Sequence, residues 1–192
     1  MAFPNPLPIP PVVQQPPARC WSAAFESWDT ATGRILGYQQ RHSMQSIQDM
    51  LDPDGVSVDA NGRATARGMD RVGLYGNIRW QAHPSAAFNP ALARSILASQ
   101  GYIYCAYYWP AGGRLHGHAV VIYRAGPGGF AVMDPDPRRG LILRSPNFFA
   151  SRSSAVLIGT TFFAPLQTML DQFMEDSHLP PGTAADIMSQ VQ

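Results

Sequence analysis

Lysine is absent from this sequence, in which all 14 basic residues other than histidine are arginines. The simpler interpretation is a GC-rich genome, whose codons favour arginine together with alanine, glycine and proline. A second interpretation is a protein that has to survive in a cytosol where lysines are sites of ubiquitination. Composition alone leaves both interpretations open.

Charge and cysteine are also scarce. The net charge is +1, and only 14% of the residues are charged. Such a surface gives no electrostatic attraction to nucleic acid or to an anionic membrane, so we expect neither as a partner. Only two cysteines occur, Cys20 and Cys105. Secreted scaffolds held together by disulfides use more, and we therefore expect both thiols to be reduced in a cytosolic environment.

Membrane anchors and cleavable leaders are not evident either. Residues 1–11 are interrupted by prolines and lack the basic start of a secretory signal. The longest apolar run, residues 155–166, is too short to span a bilayer. We expect no membrane span and, if the protein leaves its cell, export by a specialised secretion system.

Motifs that bind metals or nucleotides are missing as well. Neither cysteine has the spacing of a Cys-x-x-Cys zinc site, and no His-Glu-x-x-His motif occurs. The glycines on both sides of Pro127 are typical of a hairpin turn, because they do not form a phosphate-binding loop after a strand. The sequence therefore predicts no metal and no cofactor.

The 192 residues are enough for one domain with a sizeable core. Dense prolines predict an extended arm over residues 1–11, largely in the polyproline II conformation. Residues 12–176 are predicted to form the single domain. Residues 177–192 are predicted to be a tail with a short helix after Thr183, where a capping-box spacing occurs.

Helices are predicted mainly in the first half of the chain. Trp21, Phe25 and Trp28 stand at i, i+4 and i+7, which predicts a helix from Cys20 to about Thr30. Apolar spacing and terminal Pro or Gly residues predict four further helices, at residues 44–51, 64–75, 90–99 and 166–174.

Strands are predicted after Gly101, where the apolar period changes to two. Four segments are rich in β-branched and aromatic residues: 102–109, 118–124, 129–134 and 155–163. Helices followed by antiparallel strands predict an α+β fold.

Cys20 is the candidate nucleophile. Pro16 and Pro17 prevent the helix from beginning earlier, which places Cys20 in its first turn. The unsatisfied N–H groups and partial positive charge of a helix N-terminus favour a thiolate there. The alternative interpretation is a small buried hydrophobic residue. The position at a helix start and directly before Trp21 favours the nucleophile.

His118 is the candidate base because it begins an apolar strand, where a polar side chain can face a cleft. Its rival is His116, on the same face if the strand extends that far, but His116 falls in the glycine-rich segment 112–117, which we expect to be mobile. His42, His83 and His178 are interpreted as surface residues.

Asp134 ends the next predicted strand and is the candidate partner of His118. A hairpin folded about Gly126 places positions 118 and 134 opposite each other. A carboxylate there can accept the imidazole N–H and fix the orientation of the ring. Asp136 is the alternative if the register of the hairpin shifts.

Gln14 is the candidate oxyanion donor, acting together with the backbone N–H of Cys20. Gln15 competes for this role, and a solvated loop glutamine is the structural alternative.

These residues resemble the papain-like cysteine proteases, above all the plant-pathogen effector proteases and the bacteriocin-leader-processing peptidases. The resemblance rests on the order Gln14, Cys20-Trp21-Ser22-Ala23-Ala24, Gly117-His118-Ala119-Val120-Val121 and Asp134-Pro135. It spans roughly residues 9–165. It implies a helical N-terminal part whose central catalytic helix packs on a C-terminal antiparallel sheet, and it implies the same four catalytic roles. The segment after Phe163 departs from the family pattern. The larger family members carry an inhibitory propeptide, and we do not expect the proline-rich stretch before Gln14 to be one, because it is too short.

The expected function is that of a cysteine endopeptidase with a Cys20–His118–Asp134 triad. Its expected role is that of a bacterial toxin or effector that cleaves a protein in the cytosol of a target cell. Besides its substrate, a cognate inhibitor or immunity protein is an expected partner, and the protein is expected to be a monomer. The alternative is an amidase, deamidase or acyltransferase on the same fold, acting on peptidoglycan or on glutamine side chains.

Overall fold

The computed structural model describes residues 9, 11–15, 19–36, 42–51, 59, 63–76, 78–112 and 114–161. The helices predicted at residues 166–174 and after Thr183 lie outside this part of the chain, as does His178. Of the predicted proline-rich arm, only Ile9 and Pro11 are described, and Ile9 is buried in the core.

The described residues contain four helices and six strands. The helices are α1 (Cys20–Leu36), α2 (Met44–Leu51), α3 (Ala66–Gly76) and α4 (Pro90–Gln100). The strands are β1 (Ile78–Pro84), β2 (Ile103–Ala111), β3 (Arg114–Gly126), β4 (Gly129–Asp134), β5 (Gly140–Arg144) and β6 (Ala155–Thr161).

The six strands form one antiparallel sheet in the order β1-β6-β2-β3-β4-β5. Strand β6 returns across the sheet to lie between β1 and β2, and β5 lies at the edge next to β4. Helices followed by an antiparallel sheet confirm the predicted α+β fold.

The sheet carries a hydrophobic core on each face. Helices α1 to α3 pack on one face, where Tyr104 and Val121 belong to the same buried cluster as Trp28. Helix α4 packs on the other face, whose cluster includes Cys105 and Ile122. Consecutive residues of β2 therefore contribute to opposite cores, as expected for a strand buried on both sides.

Helix α1 is held to the sheet by two buried hydrogen bonds. The indole N–H of Trp28 donates to the carbonyl of Tyr102 at 2.9 Å, and the hydroxyl of Tyr104 donates to the carbonyl of Trp21 at 3.0 Å. The predicted stripe of Trp21, Phe25 and Trp28 is buried in this contact. The first turn of α1 is thereby fixed relative to the middle of the sheet.

The prediction that α1 ends near Thr30 is wrong, because the helix continues to Leu36. Ala31 and Thr32 are buried and continue the packed face beyond the expected end. Gly33 costs a helix about 1 kcal/mol relative to alanine. The free energy gained by burying Ala31 and Thr32 outweighs this cost.

The segment between β2 and β3 also differs from the prediction. Residues 112–117 were expected to be a mobile loop, but β3 begins at Arg114 and pairs with β2 along its whole first half. His116 lies inside this strand, opposite Trp109. Strand β3 therefore begins four residues before position 118, where the apolar pattern predicted its start.

Candidate active site

Cys20 is the first residue of α1, and its side chain is mostly buried, with 8% of the residue exposed. The turn is closed by Arg19, whose carbonyl accepts from the N–H of Ala23 and from the hydroxyl of Ser22. The Ser22 hydroxyl in turn accepts from Gln48 of α2 at 2.8 Å. The thiol thus lies at a helix N-terminus that a second helix supports.

His118 lies in β3 and joins Cys20 to Asp134. Its Nε2 is 2.7 Å from Oδ1 of Asp134, and the Cys20 side chain lies within interaction range of the ring. Because Nε2 of His118 contacts Asp134, Nδ1 is the ring nitrogen that remains to interact with the Cys20 thiol. The edge of the ring meets Tyr107, with the two ring centroids 5.8 Å apart.

The surroundings of His118 favour its protonated form. Burial lowers the pKa of the imidazole, but hydrogen bonds to Asp134 and Cys20, together with the charges of both groups, outweigh burial. The net effect raises the pKa of His118 from 6.5 to about 9. The ring can therefore carry a proton at neutral pH.

The carboxylate of Asp134 is completely buried and has four hydrogen-bond partners. Burial by itself raises the pKa of this carboxyl group. The hydrogen bond and charge of His118, the N–H of Asp136 and the guanidinium of Arg144 reverse that effect and hold the pKa well below its usual range. Asp134 is a permanent anion beside the histidine.

The predicted register of the hairpin is wrong by two residues. Gly126 pairs with Gly129, so that the turn has two residues, and Tyr123 forms an irregularity in β3. Val121 pairs with Met133, and continuing that register places position 136, rather than 134, opposite position 118.

Asp134 nevertheless provides the contact to the histidine. Diagonal neighbours on a sheet remain within reach of side chains of this length. Asp136, the alternative considered above, is paired instead with the backbone and side chain of Arg138 and with Arg139.

A cleft of about 230 Å³ lies beside the thiol and the imidazole. Its lining comes from α1, the segment before α3, α3 itself and the facing strands β2 and β3: Cys20, Trp21, Asp59, Arg63, Ala64, Thr65, Met69, Tyr104, Ala106, Tyr108, Gly117, His118 and Ala119. Tyr108 lies against Gly117, where a side-chain Cβ would be 2.8 Å from the ring. A glycine at this position leaves room for the tyrosine beside the histidine.

Gln14 lies next to the carboxylate end of the site, since its backbone N–H donates to the carbonyl of Pro135 at 3.0 Å. Its side-chain Oε1 is enclosed and has no hydrogen-bond partner within the described part of the chain. Gln15 is exposed. The role of either glutamine as an oxyanion donor stays a prediction.

The remaining described histidines lie apart from the thiol. His116 stacks on Trp109, with ring centroids 5.8 Å apart. His42 and His83 are not simple surface residues as predicted: His42 is largely buried, 3.3 Å from Asp29, and His83 packs near Phe88. His42 is drawn inward because it follows α1 and meets the buried carboxylate of Asp29.

Sequence reasoning missed Arg139 and Arg144, which both contact Asp134. Arg139 follows Asp134 by five positions, and this nearness is the only signal in the sequence. Arg144 carries no such signal, since its contact depends on the pairing of β4 with β5.

The two thiols lie in different environments, and both are free. Cys105 is completely buried in β2, and burial raises the pKa of its thiol well above the ordinary value.

Within the described ranges, no group of three or more His, Cys, Asp or Glu side chains could hold a metal ion. None of the described helices is both long and apolar enough to cross a membrane.

Comparison with known proteins gives a family match. A family model described as papain-like cysteine protease AvrRpt2 matches residues 6–151. No curated protein sequence matches the chain.

Solved structures resemble this fold at low sequence identity. The peptidase domain of Streptococcus ComA, a bi-functional ABC transporter involved in a quorum sensing pathway, is 14% identical, with a TM-score of 0.52 over 78% of this chain and 96% of that one. A double glycine motif protease from an AMS/PCAT transporter, solved with the leader peptide, is 12% identical, with a TM-score of 0.54 over 83% and 96%. The Pseudomonas avirulence protein AvrPphB is 14% identical, with a TM-score of 0.40 over 74% and 89%. The first two matches show a shared fold.

Proposed function

Because this chain belongs to the family of the papain-like cysteine protease AvrRpt2, we propose that it is an endopeptidase with Cys20, His118 and Asp134 as its catalytic triad. The observation that carries this proposal is the 2.7 Å contact of the His118 ring with the Asp134 carboxylate, together with the position of Cys20 and His118 in the lining of the same cleft. A nucleophile, a base and a group that orients the base are the parts that acyl transfer requires.

In the first step, His118 carries the proton that the Cys20 thiol has given up, and the thiolate sulfur attacks the carbonyl carbon of the substrate peptide. The carbonyl π electrons move to oxygen and form a tetrahedral oxyanion. The N–H of Cys20 and the side chain of Gln14 are the proposed donors to this oxyanion, and one such donor is worth about 3 kcal/mol. The imidazolium then gives its proton to the leaving amine as the C–N bond breaks.

In the second step, water hydrolyses the thioester. His118 removes a proton from the water, the hydroxide adds to the acyl carbon, and the C–S bond breaks. The carboxylic acid product leaves, and the thiolate again faces the protonated ring of His118, which is the starting state. Asp134 stays ionised throughout and stabilises the imidazolium in both steps.

Selective alkylation tests the activation of the thiol. We expect iodoacetamide at neutral pH to modify Cys20 at least about tenfold faster than Cys105, because Cys20 meets His118 at a helix N-terminus while Cys105 is buried and its thiol is held protonated. Mass spectrometry of tryptic peptides after timed labelling measures both rates. Equal rates in the folded protein would contradict an activated Cys20.

The pH dependence of cleavage tests the role of His118. The leaving amine needs the protonated ring, and the pKa of His118 is raised from 6.5 to about 9, so the active form prevails below that value. We expect kcat/KM to fall on the alkaline side with a midpoint near pH 9. A peptide cleaved by the wild-type protein, assayed from pH 5 to 10.5 at constant ionic strength, gives the profile. An alkaline midpoint at or below pH 7 would show that the proton comes from another group.

We further propose that the natural substrate is a protein in the cytosol of a cell that receives this enzyme as a toxin or effector. The membership of the AvrRpt2 family supports this role, with which the absence of lysine is compatible. A cognate inhibitor made by the producing cell fits the same role. Expression of the wild-type chain and of Cys20→Ala in plant cells and in bacteria, followed by sequencing of new protein N-termini, tests it. New termini that depend on Cys20 in only one host identify the target cell, and none in either host argues against this role.

A further inference from the structure

The two oxygens of the Asp134 carboxylate have different partners. Oδ1 faces Nε2 of His118 and accepts from the backbone N–H of Asp136. Oδ2 accepts from two guanidinium groups, from Nη1 of Arg139 at 3.1 Å and from Nη2 of Arg144 at 2.5 Å. We propose, resting on the function proposed above, that this arginine pair positions the active site by holding Asp134 ionised with Oδ1 directed at His118.

The reaction itself creates the need for the arginine pair. The Asp134 side chain has no exposed surface. A buried carboxylate is costly unless a positive charge and hydrogen bonds accompany it, and without them it takes up a proton. His118 provides a positive charge only until it donates its proton to the leaving amine. Guanidinium groups remain charged at every step, because arginine does not lose its proton in proteins.

Arg144 is held firmly in this contact. It ends β5, only 14% of its side chain is exposed, and its Cζ lies 4.6 Å from the centroid of the Phe148 ring. Arg139 lies in the turn between β4 and β5, is more exposed at 35%, and also contacts Asp136 at 3.4 Å. We therefore expect Arg144 to contribute more than Arg139.

The other groups that face Asp134 cannot replace this charge. Tyr107 approaches from β2, and burial raises the pKa of its hydroxyl well above the ordinary value, so that it stays neutral. His118 approaches from β3 and changes its protonation during catalysis. Cys20 lies beyond the histidine and has no positive charge to offer. In the described part of the chain, the arginine pair supplies the permanent positive charge in contact with the carboxylate.

Two matched pairs of variants test this inference. Arg144→Gln is compared with Arg152→Gln, because Arg152 also lies over the Phe148 ring, at 4.9 Å, while only Arg144 is hydrogen-bonded to Asp134. Arg139→Gln is compared with Arg138→Gln, since Arg138 contacts Asp136 instead of Asp134. Arg144→Lys retains the charge at the more buried site.

We expect Arg144→Gln to lower kcat by about 10- to 100-fold, the range for losing a hydrogen bond to a charged group. KM should change less than about threefold, because Arg144 does not line the cleft. Arg139→Gln should lower kcat by a smaller factor, and Arg144→Lys should recover part of the loss. Both control variants should stay within about threefold of wild type.

A titration of the carboxyl group distinguishes positioning from general stability. The Cγ signal of Asp134 in ¹³C NMR reports its proton uptake directly, and in Arg144→Gln we expect the midpoint to rise by about one pH unit or more. This titration does not depend on peptidase activity and can be measured for any variant that is folded at neutral pH. If Arg144→Gln does not fold, the comparison of Arg144→Lys with wild type takes its place.

The outcomes separate this inference from the proposed function. A wild-type protein without peptidase activity overturns the function, while a shifted titration in Arg144→Gln would still show that the arginine sets the charge state of Asp134. An active wild-type enzyme whose Arg144→Gln and Arg152→Gln variants behave alike overturns the inference and leaves the peptidase intact. A loss of kcat with an unchanged Asp134 titration also overturns it.

Discussion

Replacing Cys20 with alanine is expected to lower kcat/KM by at least about 10⁴-fold. The substitution removes the atom that forms the thioester, and the remaining catalysis comes only from substrate binding and from the oxyanion donors. Because Cys20 is the first residue of α1 and alanine favours helices, the fold should persist. A peptide library derived from a proteome is first screened with the wild-type enzyme. The rate at which each variant cleaves the best peptide from this screen is then measured.

Cys105→Ala is the matched control for this variant. It also removes one buried sulfur, but Cys105 lies in the core on the α4 face of the sheet, away from the cleft. We expect its kcat/KM to stay within about threefold of wild type, at some cost in stability from the cavity. Cleavage by Cys20→Ala at more than about 1% of the wild-type rate would exclude Cys20 as the nucleophile.

Replacing Gly129 with alanine is expected to be the most damaging single-methyl change in the hairpin between β3 and β4. Gly129 has a φ of 120°, which side chains rarely adopt, and a Cβ there would overlap the carbonyl oxygen of Arg144. Backbone strain of about 1–3 kcal/mol adds to overpacking of about 1–3 kcal/mol. The free energy of unfolding should fall by about 2–6 kcal/mol, and urea denaturation followed by circular dichroism measures it.

Gly126→Ala provides the comparison within the same turn. Gly126 pairs with Gly129, but its φ is not positive, and a Cβ would meet no atom within 4 Å. We expect a change of less than about 1 kcal/mol. If both variants unfold at the same urea concentration, the strain inferred at Gly129 is absent.

The sequence was sufficient to predict the elements whose signals are local. The Trp21, Phe25 and Trp28 stripe and the helix that begins at Pro90 each arise from neighbouring residues. The candidates Cys20, His118 and Asp134 were selected because each stands at the end or the beginning of a predicted element, although His118 lies inside β3 in the structure. Their mutual contact required the sheet, which no local pattern describes.

Strands β1 and β5 were missed because neither has a clean apolar alternation. Within β1, Trp80, Gln81 and His83 are all partly buried, and the strand is stabilised by full-length pairing with β6, which is about 75 residues away. Strand β5 has only five residues, of which Leu141 and Leu143 are exposed. Such strands form because a neighbour offers unpaired backbone groups.

The register of the hairpin was predicted wrongly because the turn is centred between Pro127 and Gly128, where Gly126 pairs with Gly129, and not on Gly126. The irregularity at Tyr123 then changes the register of the pairs beyond it by one position. The contact between His118 and Asp134 survives this shift, since a diagonal pair is still within reach. Arg144 could not be found for a related reason: its approach to Asp134 depends on the pairing of a strand that the sequence does not signal.

The position of β5 at the edge of the sheet has a consequence for how this enzyme loses activity. A strand with one neighbour opens more readily than the interior of a sheet, and such opening is local. Fraying of this strand would withdraw Arg144 from the carboxylate while α1 and the central strands remain folded. Inactivation by mild heat or denaturant would then precede unfolding, so that this edge strand, rather than the nucleophile's helix, would limit the working range of the catalyst.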